Sequence, residues 1–219
     1  MDIKQVISAC KEIKAWSNDY INLLINNVGT AIKFGGDLKH LQYDTWDKTI
    51  NLNLRAPFAF TKELSSSLIN ASKTPCKYNG NIYDGSVINI SSVMSTDASY
   101  PQGCIAYSVA KAGVNQLTRL NAHELAKYKV RVNSVQLASV VSDVFINKGW
   151  SKEDSDKVIA SMAKKHIIGR NGTYKDVIEM VQFLAANDKS GWITGANMDL
   201  NGGWSLYGSG TKSSLFSNL

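Results

Sequence analysis

Apolar residues recur at helical spacing in the first seventeen positions, as Ile3, Val6, Ile7, Cys10, Ile13 and Ala15 or Trp16, and predict an amphipathic helix over 2–17. A short apolar run at 21–25 leads into Asn26-Asn27-Val28-Gly29, the pattern of a buried strand entering a turn. Residues 43–70 read as one long helix that starts at Asp44 or Thr45 and contains Pro57. The stretch 71–85 is polar and rich in turn residues, as a long surface loop would be. Val87-Ile88-Asn89-Ile90 predicts the next strand, ending at Ser91-Ser92. Residues 106–127 predict a second long helix, and Val130, Val132 and Val135 a third strand. After an irregular segment over 136–150, Ser151 and Asp154 form the aspartate variant of a capping box and open a short helix over 151–165. Another helix is predicted over 174–187. A last strand over 196–200 is closed by Gly202-Gly203, and the tail from Gly208 is small, polar and loose.

Strands alternating with helices predict an α/β fold with a largely parallel sheet. Ligands in such folds sit beyond the carboxyl ends of the strands. Asn26 to Gly29, and Ser91-Ser92, fall there.

Composition narrows the class. The chain has 219 residues, 44% apolar and 19% charged, which fits one globular core and excludes disordered, collagen-like and disulfide-scaffold chains. The formal charge is +6, but no run of Lys and Arg concentrates it, so a solvated surface is expected and nucleic acid is not. No apolar stretch reaches the ~18 residues of a membrane span, and Met-Asp-Ile-Lys-Gln does not begin a signal peptide. Cys10, Cys76 and Cys104 are odd in number and lack metal spacing, which suits a reducing, cytoplasmic setting. His40, His123 and His166 are scattered and read as structural or surface residues, so no metal site is expected.

Tyr107 and Lys111 stand four apart near the start of the second long helix, on one face. A neighbouring ammonium stabilises a phenolate, so such a tyrosine can exchange a proton with a carbonyl or alcohol oxygen near neutral pH. A serine hydroxyl at the end of a strand, Ser92, could hold that oxygen. The pair alone is a common accident of solvated helices. The ordered set is more specific: Ser-Ser after a strand, Tyr-Ser-Val-Ala-Lys opening a helix, Val-Arg-Val-Asn-Ser on the next strand.

With that set the sequence resembles the short-chain dehydrogenase/reductase family over about residues 2–207. Asn26-Asn27-Val28-Gly29 resembles its Asn-Asn-Ala-Gly motif. Asn53, Ser92, Tyr107 and Lys111 match its catalytic tetrad, and Ile193-Thr194-Gly195 and Asn201-Gly202-Gly203 match the end of its domain. The resemblance implies a Rossmann-like doubly wound sheet. It also implies NAD or NADP as cofactor, a small carbonyl or secondary alcohol as substrate, and a homo-oligomer, dimer or tetramer, built on the two long helices. Tyr107 would be the acid/base. Lys111 would lower its pKa and bind the nicotinamide ribose, Ser92 would hold the substrate oxygen, and Asn53 would serve a water-linked proton relay. Cofactor contacts would come from Asn26, Asn27, Gly29, Tyr107, Lys111 and Ser142. Pro57 suits the relay: it has no N–H, so the carbonyl of Asn53 loses its helical partner. A tolerated kink explains Pro57 as well.

Several features depart from the family pattern. The sequence has no Thr-Gly-x-x-x-Gly-x-Gly, the turn that lets backbone approach a pyrophosphate. The reading is a single partial domain over 1–207 with a tail over 208–219, without the family's first three strands. An incomplete chain is expected over a natural minimal one, because the strand at Ile21–Ile25 would otherwise present a bare edge. After the third strand, Leu137 and Ala138 stand where the family has Pro-Gly, with Ser142 in place of a threonine. Val140-Val141 there gives a slight likeness to L-xylulose and dicarbonyl reductases. Ser92 lies 15 positions before Tyr107 and Ser95 12 before it, so either serine fits the role, with Ser92 preferred for its place at a strand end. Phe145 and Trp150 could line a substrate pocket or pack a helix. Two functions follow: an NAD(P)-dependent oxidoreductase, or a non-catalytic chain that only assembles with a full-length sibling.

Overall fold

The computed structural model describes residues 2–32, 38–76, 79–97 and 104–206. Four strands, β1 (Leu23–Asn26), β2 (Gly85–Ser92), β3 (Val130–Leu137) and β4 (Asn197–Leu200), lie side by side in chain order. Every pairing is parallel, with Leu24 opposite Val87, Val87 opposite Val132 and Val135 opposite Met198. Parallel strands need crossovers, and helices supply them. α1 (Ile3–Ser17) precedes β1, and the crossovers carry α2 (Tyr43–Ile50), α3 (Ala56–Ala71), α4 (Ile105–Leu125), α5 (Lys152–Ala163) and α6 (Tyr174–Ala185).

The period of two along each strand divides the core between two faces. Leu24, Val87, Val130 and Val132 pack on Leu68 of α3 and Ala122 of α4. Leu23, Ile88, Ile90 and Val135 pack on Leu184 of α6. All eight residues of β2 are buried. α1 lies outside α3, with Val6 and Cys10 against Ala59 and Leu64.

The chain is therefore α/β with a parallel sheet, as its patterning predicts, and the differences are local. The apolar stripe of α1 ends at Ile13; Ala15 is exposed and Trp16 is 87% exposed. β1 starts two residues later than the apolar run, while β2 extends beyond Val87–Ile90 at both ends. The helix expected over 43–70 carries a π-helical segment, Asn51–Arg55, between α2 and α3, in which Ala56 N–H reaches back to Asn51 O. The helix expected over 151–165 ends at Ala163. Ser151 caps it, accepting from Asp154 N at 3.1 Å. The reciprocal capping box is instead at Thr173 and Asp176, before α6. That helix stops at Ala185 because Ala186 is extended, and a single turn, Asn187–Ser190, follows. The expected tail, 208–219, lies outside the described residues.

Candidate active site

The carboxyl ends of β1 and β2, the π-helical segment and the first turns of α4 converge on one corner. Ser92 ends β2 and caps a 3-10 turn, Val93–Ser95, its hydroxyl accepting from Met94 N at 3.2 Å. Its position is fixed by the β2–β3 ladder, where it pairs with Leu137. Tyr107 and Lys111 lie on one face of α4. Lys111 Nζ stands 5.5 Å from the centre of the Tyr107 ring, and Tyr107 is half-buried. Lys111 is 4% exposed and donates to Ile90 O at 2.7 Å. Burial disfavours the ammonium and lowers its pKa to about 8.

Asn53 sits inside the π-helical segment, 1% exposed. Its Nδ2 donates to Thr30 O at 3.0 Å and Thr49 O at 2.9 Å. Among the described residues its buried Oδ1 has no hydrogen-bond partner. A π-bulge of this kind re-aims one side chain out of the ordinary helical register and is frequent at functional sites. Gly29 is required here for space: a Cβ at that position would lie 2.6 Å from Asn53 Oδ1 and 3.1 Å from Lys111 Nζ. The structure thus brings Gly29, Asn53 and Lys111 together, with Tyr107 beside Lys111.

The other expected residues divide. Asn26 is engaged within the fold, its Nδ2 donating to Thr61 Oγ1 at 3.1 Å and Asn89 Oδ1 at 2.8 Å. Asn27 is exposed beyond the end of β1. Ser142 is half-buried in a bend of the segment after β3. Ser95, the alternative serine, is held in a network. It lies within hydrogen-bond distance of Ser92 O and Gln136 Oε1, and accepts from Asn115 Nδ2 at 2.7 Å. A hydroxyl so engaged is a brace, whereas Ser92 keeps its own proton without an acceptor among the described residues. Asn115 is one turn beyond Lys111, so the spacing of Tyr107, Lys111 and Asn115 could have drawn attention to it. Gln136 carried no such signal, because its role depends on β3 pairing beside β2.

Phe145 and Trp150 stack at 5.3 Å, tilted, on one turn of the segment after β3. Val140 bridges Gly172, and Val141 N donates to Gly172 O at 2.9 Å, which ties that segment to the approach to α6. His40 and His123 are exposed. His166 is buried, edge-on to Trp204 at 5.0 Å, and burial lowers its pKa. Among the described residues no group of three His, Cys, Asp or Glu side chains is placed to hold a metal.

The comparisons with known proteins bear on the family and the fold. A family model described as Enoyl-(Acyl carrier protein) reductase matches residues 1–205. The chain belongs to the short-chain dehydrogenase/reductase family. Among relatives, the (3R)-3-hydroxyacyl-CoA dehydrogenase of Homo sapiens is 33% identical over 166 residues, covering 76% of this chain and 56% of that protein. The 3-oxoacyl-[acyl-carrier-protein] reductase FabG of Thermotoga maritima is 29% identical over 183 residues, covering 84% and 65%. The chain therefore spans little more than half of the first relative and about two thirds of the second. A crystal structure of a short-chain dehydrogenase/reductase of unknown function from Caenorhabditis elegans, solved with cofactor, superposes with a TM-score of 0.79 at 29% identity, covering 92% of this chain and 73% of that one.

Proposed function

We infer that the chain is the catalytic part of an NAD(P)-dependent oxidoreductase acting on a carbonyl or secondary alcohol. The observation that carries this reading is the buried Lys111 ammonium beside Tyr107, with Gly29 and Asn53 closed around it. The 26–29 run, Tyr107, Lys111 and Ser142 would hold the nicotinamide and its ribose. The bare backbone at Gly29 and the ammonium with N–H groups left to donate suit that half of a dinucleotide. When bound, it supplies or accepts a hydride. Tyr107 supplies or takes the matching proton at the substrate oxygen, and Lys111 lowers its pKa for that exchange. Ser92, with a free O–H, holds the same oxygen. Asn53 leaves Oδ1 open and keeps a relay water near Lys111.

The absence of a Thr-Gly-x-x-x-Gly-x-Gly run in the sequence favours a second reading. In it the chain binds no dinucleotide alone and assembles with a full-length relative. Both readings use the apolar outer faces of α3 and α4, where Phe58, Ile105, Val109 and Leu120 are exposed, as the surface of a dimer or tetramer. A single domain over 1–207 and a cytoplasmic location complete the proposal. Free Cys10, Cys76 and Cys104 fit that location, and among the described residues no helix is long and apolar enough to cross a membrane.

The test is a titration of the folded chain with NADPH and then NADH, followed by tryptophan emission. Saturable binding at micromolar concentration supports the first reading, and a screen of carbonyl compounds, 3-oxoacyl thioesters included, then follows. Tyr107→Phe should lower kcat at least ~100-fold with the melting temperature unchanged. No binding up to millimolar concentration sinks the first reading for this chain.

A further inference from the structure

A cavity apart from the candidate active site lies at the carboxyl end of β4. Its wall includes Leu200 and Gly202 at the end of that strand, Ser139 beyond β3, and His166, Ile168 and Arg170 between α5 and α6. Leu200 pairs with Leu137, and Leu137 pairs on its other side with Ser92. Neighbouring strands lie ~4.8 Å apart, so Leu200 stands about 10 Å from the end of β2. His166 is 3% exposed, and its two ring nitrogens differ. Nδ1 lies 3.0 Å from Met162 O, a carbonyl that only accepts, so Nδ1 carries the proton. Nε2 is then the acceptor of the neutral ring, and among the described residues it has no partner. The Nε2 edge borders the cavity: a Cβ on Gly202 would lie 3.0 Å from the adjoining Cδ2.

The rest of the wall sets what chemistry fits. Arg170 donates twice to Asp176, which also lines the cavity, at 2.8 and 2.9 Å, so their charges offset each other. Asn201, on the same wall, donates to Ser205 Oγ and accepts from Gly203 N. Burial lowers the pKa of His166, which keeps the ring neutral at pH 7. An ion entering here loses water and meets no free counter-charge among the described residues. What stays open is the Nε2 acceptor, with Ile168 and Leu200 as apolar wall and a hydroxyl at Ser139. The cavity measures about 60 Å³ and opens to solvent on one side. Benzene occupies a cavity of ~150 Å³, so this one suits a group of about three or four heavy atoms.

We propose that this cavity is a second small-molecule site, which takes a short neutral alcohol, or the hydroxyl end of a longer molecule, with the O–H donating to His166 Nε2. The carbon skeleton rests on Ile168 and Leu200. A ketone has no proton to give, so the site distinguishes an alcohol from the ketone of the same skeleton. The inference does not depend on the oxidoreductase reading, and no bond to His166 forms or breaks.

The test adds three probes of equal size, 2-propanol, acetone and acetate, to the full chain labelled with nitrogen-15 in its histidines. No cofactor is present, so nothing turns over. Long-range proton–nitrogen correlation spectra read each ring nitrogen separately, and the exposed His40 and His123 serve as internal controls. 2-Propanol should shift His166 Nε2 saturably, with an apparent Kd at least ~5-fold below that of acetone, while His40 and His123 stay in place. Ile168→Trp fills the cavity from a side chain that is 60% exposed, and it should abolish the saturable shift with the melting temperature unchanged. Equal shifts by 2-propanol and acetone, or a shift that survives Ile168→Trp, would overturn the proposal. So would a response to acetate alone, which would make this an anion site. No shift at any alcohol concentration that leaves the chain folded would also overturn it, with water as the partner of Nε2. The acetone comparison needs no variant and decides by itself.

Discussion

Two polar clusters are buried on the α3–α4 side of the sheet, and they are closed differently. The first runs from Thr61 through Asn26 and Asn89 to Thr118, whose hydroxyl donates to Val114 O at 2.8 Å. Asn26 Nδ2 donates to both Thr61 and Asn89, Asn89 Nδ2 donates to Thr118, and the run ends on a helix carbonyl. The second, one strand-end away, joins Gly29, Asn53 and Lys111. There Asn53 Oδ1 has no partner among the described residues, and the Lys111 ammonium sits in a site that disfavours its charge. A buried polar group without a partner costs ~1–3 kcal/mol, so a cluster that serves only the fold tends to close. The open cluster is destabilising by itself, a cost that functional sites carry more often than purely structural ones.

The contrast can be broken at the closed cluster first. Asn89→Ala leaves Asn26 Nδ2 and Thr118 without their shared partner and should cost about 3 kcal/mol, a fall of roughly 6–10 °C in melting temperature. A thermal scan that moves by less than a degree would show that the ladder is decorative. Next come the two serines. Ser92→Ala should lower kcat ~100-fold and barely move the melting temperature, whereas Ser95→Ala should spare turnover and cost about 1 kcal/mol by releasing Asn115 and Gln136. If the two variants exchange phenotypes, Ser95 holds the substrate oxygen.

Lys111→Met sharpens the contrast with a smaller change of opposite sign. The folded pKa of Lys111 is about 8, below the ordinary 10.5. The penalty for burying its charge is therefore fully present below pH 8 and disappears as pH rises from 8 to 10.5. The pKa difference corresponds to about 3 kcal/mol. With the bond to Ile90 O lost, the net gain for Lys111→Met at pH 7 should be about 2 kcal/mol, with a pH–stability curve flat between 8 and 10.5. A variant less stable than wild type at pH 7 would contradict the burial argument. The smallest effect belongs to His166. Burial lowers its pKa from 6.5, so the unfolded chain takes up the proton first as pH falls below 6.5, and stability drops there until the folded state titrates too. His166→Phe should flatten that part of the curve in chemical denaturation between pH 5 and 7.

Much of the fold was legible because β2 and β3 are β-branched runs bounded by turn residues, and because α4 and α6 keep a helical period over three turns or more. The order Asn53, Ser92, Tyr107, Lys111 made the site legible as a resemblance, and the missing N–H of Pro57 hinted at the irregularity beside Asn53. Other features depend on long-range packing that no local pattern encodes. Trp16 fits the period of α1, yet nothing in the described chain covers it. Asn115 and Gln136 meet only once α4 lies across β3. Lys148 and Ala31 are 117 positions apart and join through a segment whose sequence shows no period.

The π-helical segment also sets what changes in length the chain can tolerate. A π-bulge amounts to one residue more than the helix needs, and one residue is about 100° of rotation. Removing a single residue within Asn51–Arg55 would restore regular helix and leave the flanking turns of α2 and α3 near their present register. What it would take away is the extra rotation of the side chain at 53, so Asn53 would swing from Thr30 O and from the space beside Lys111. In a comparison of gapped sequences, a one-residue gap at this point would therefore mark a change of mechanism, whereas a gap in the 71–84 loop would mark only a shorter path over the surface.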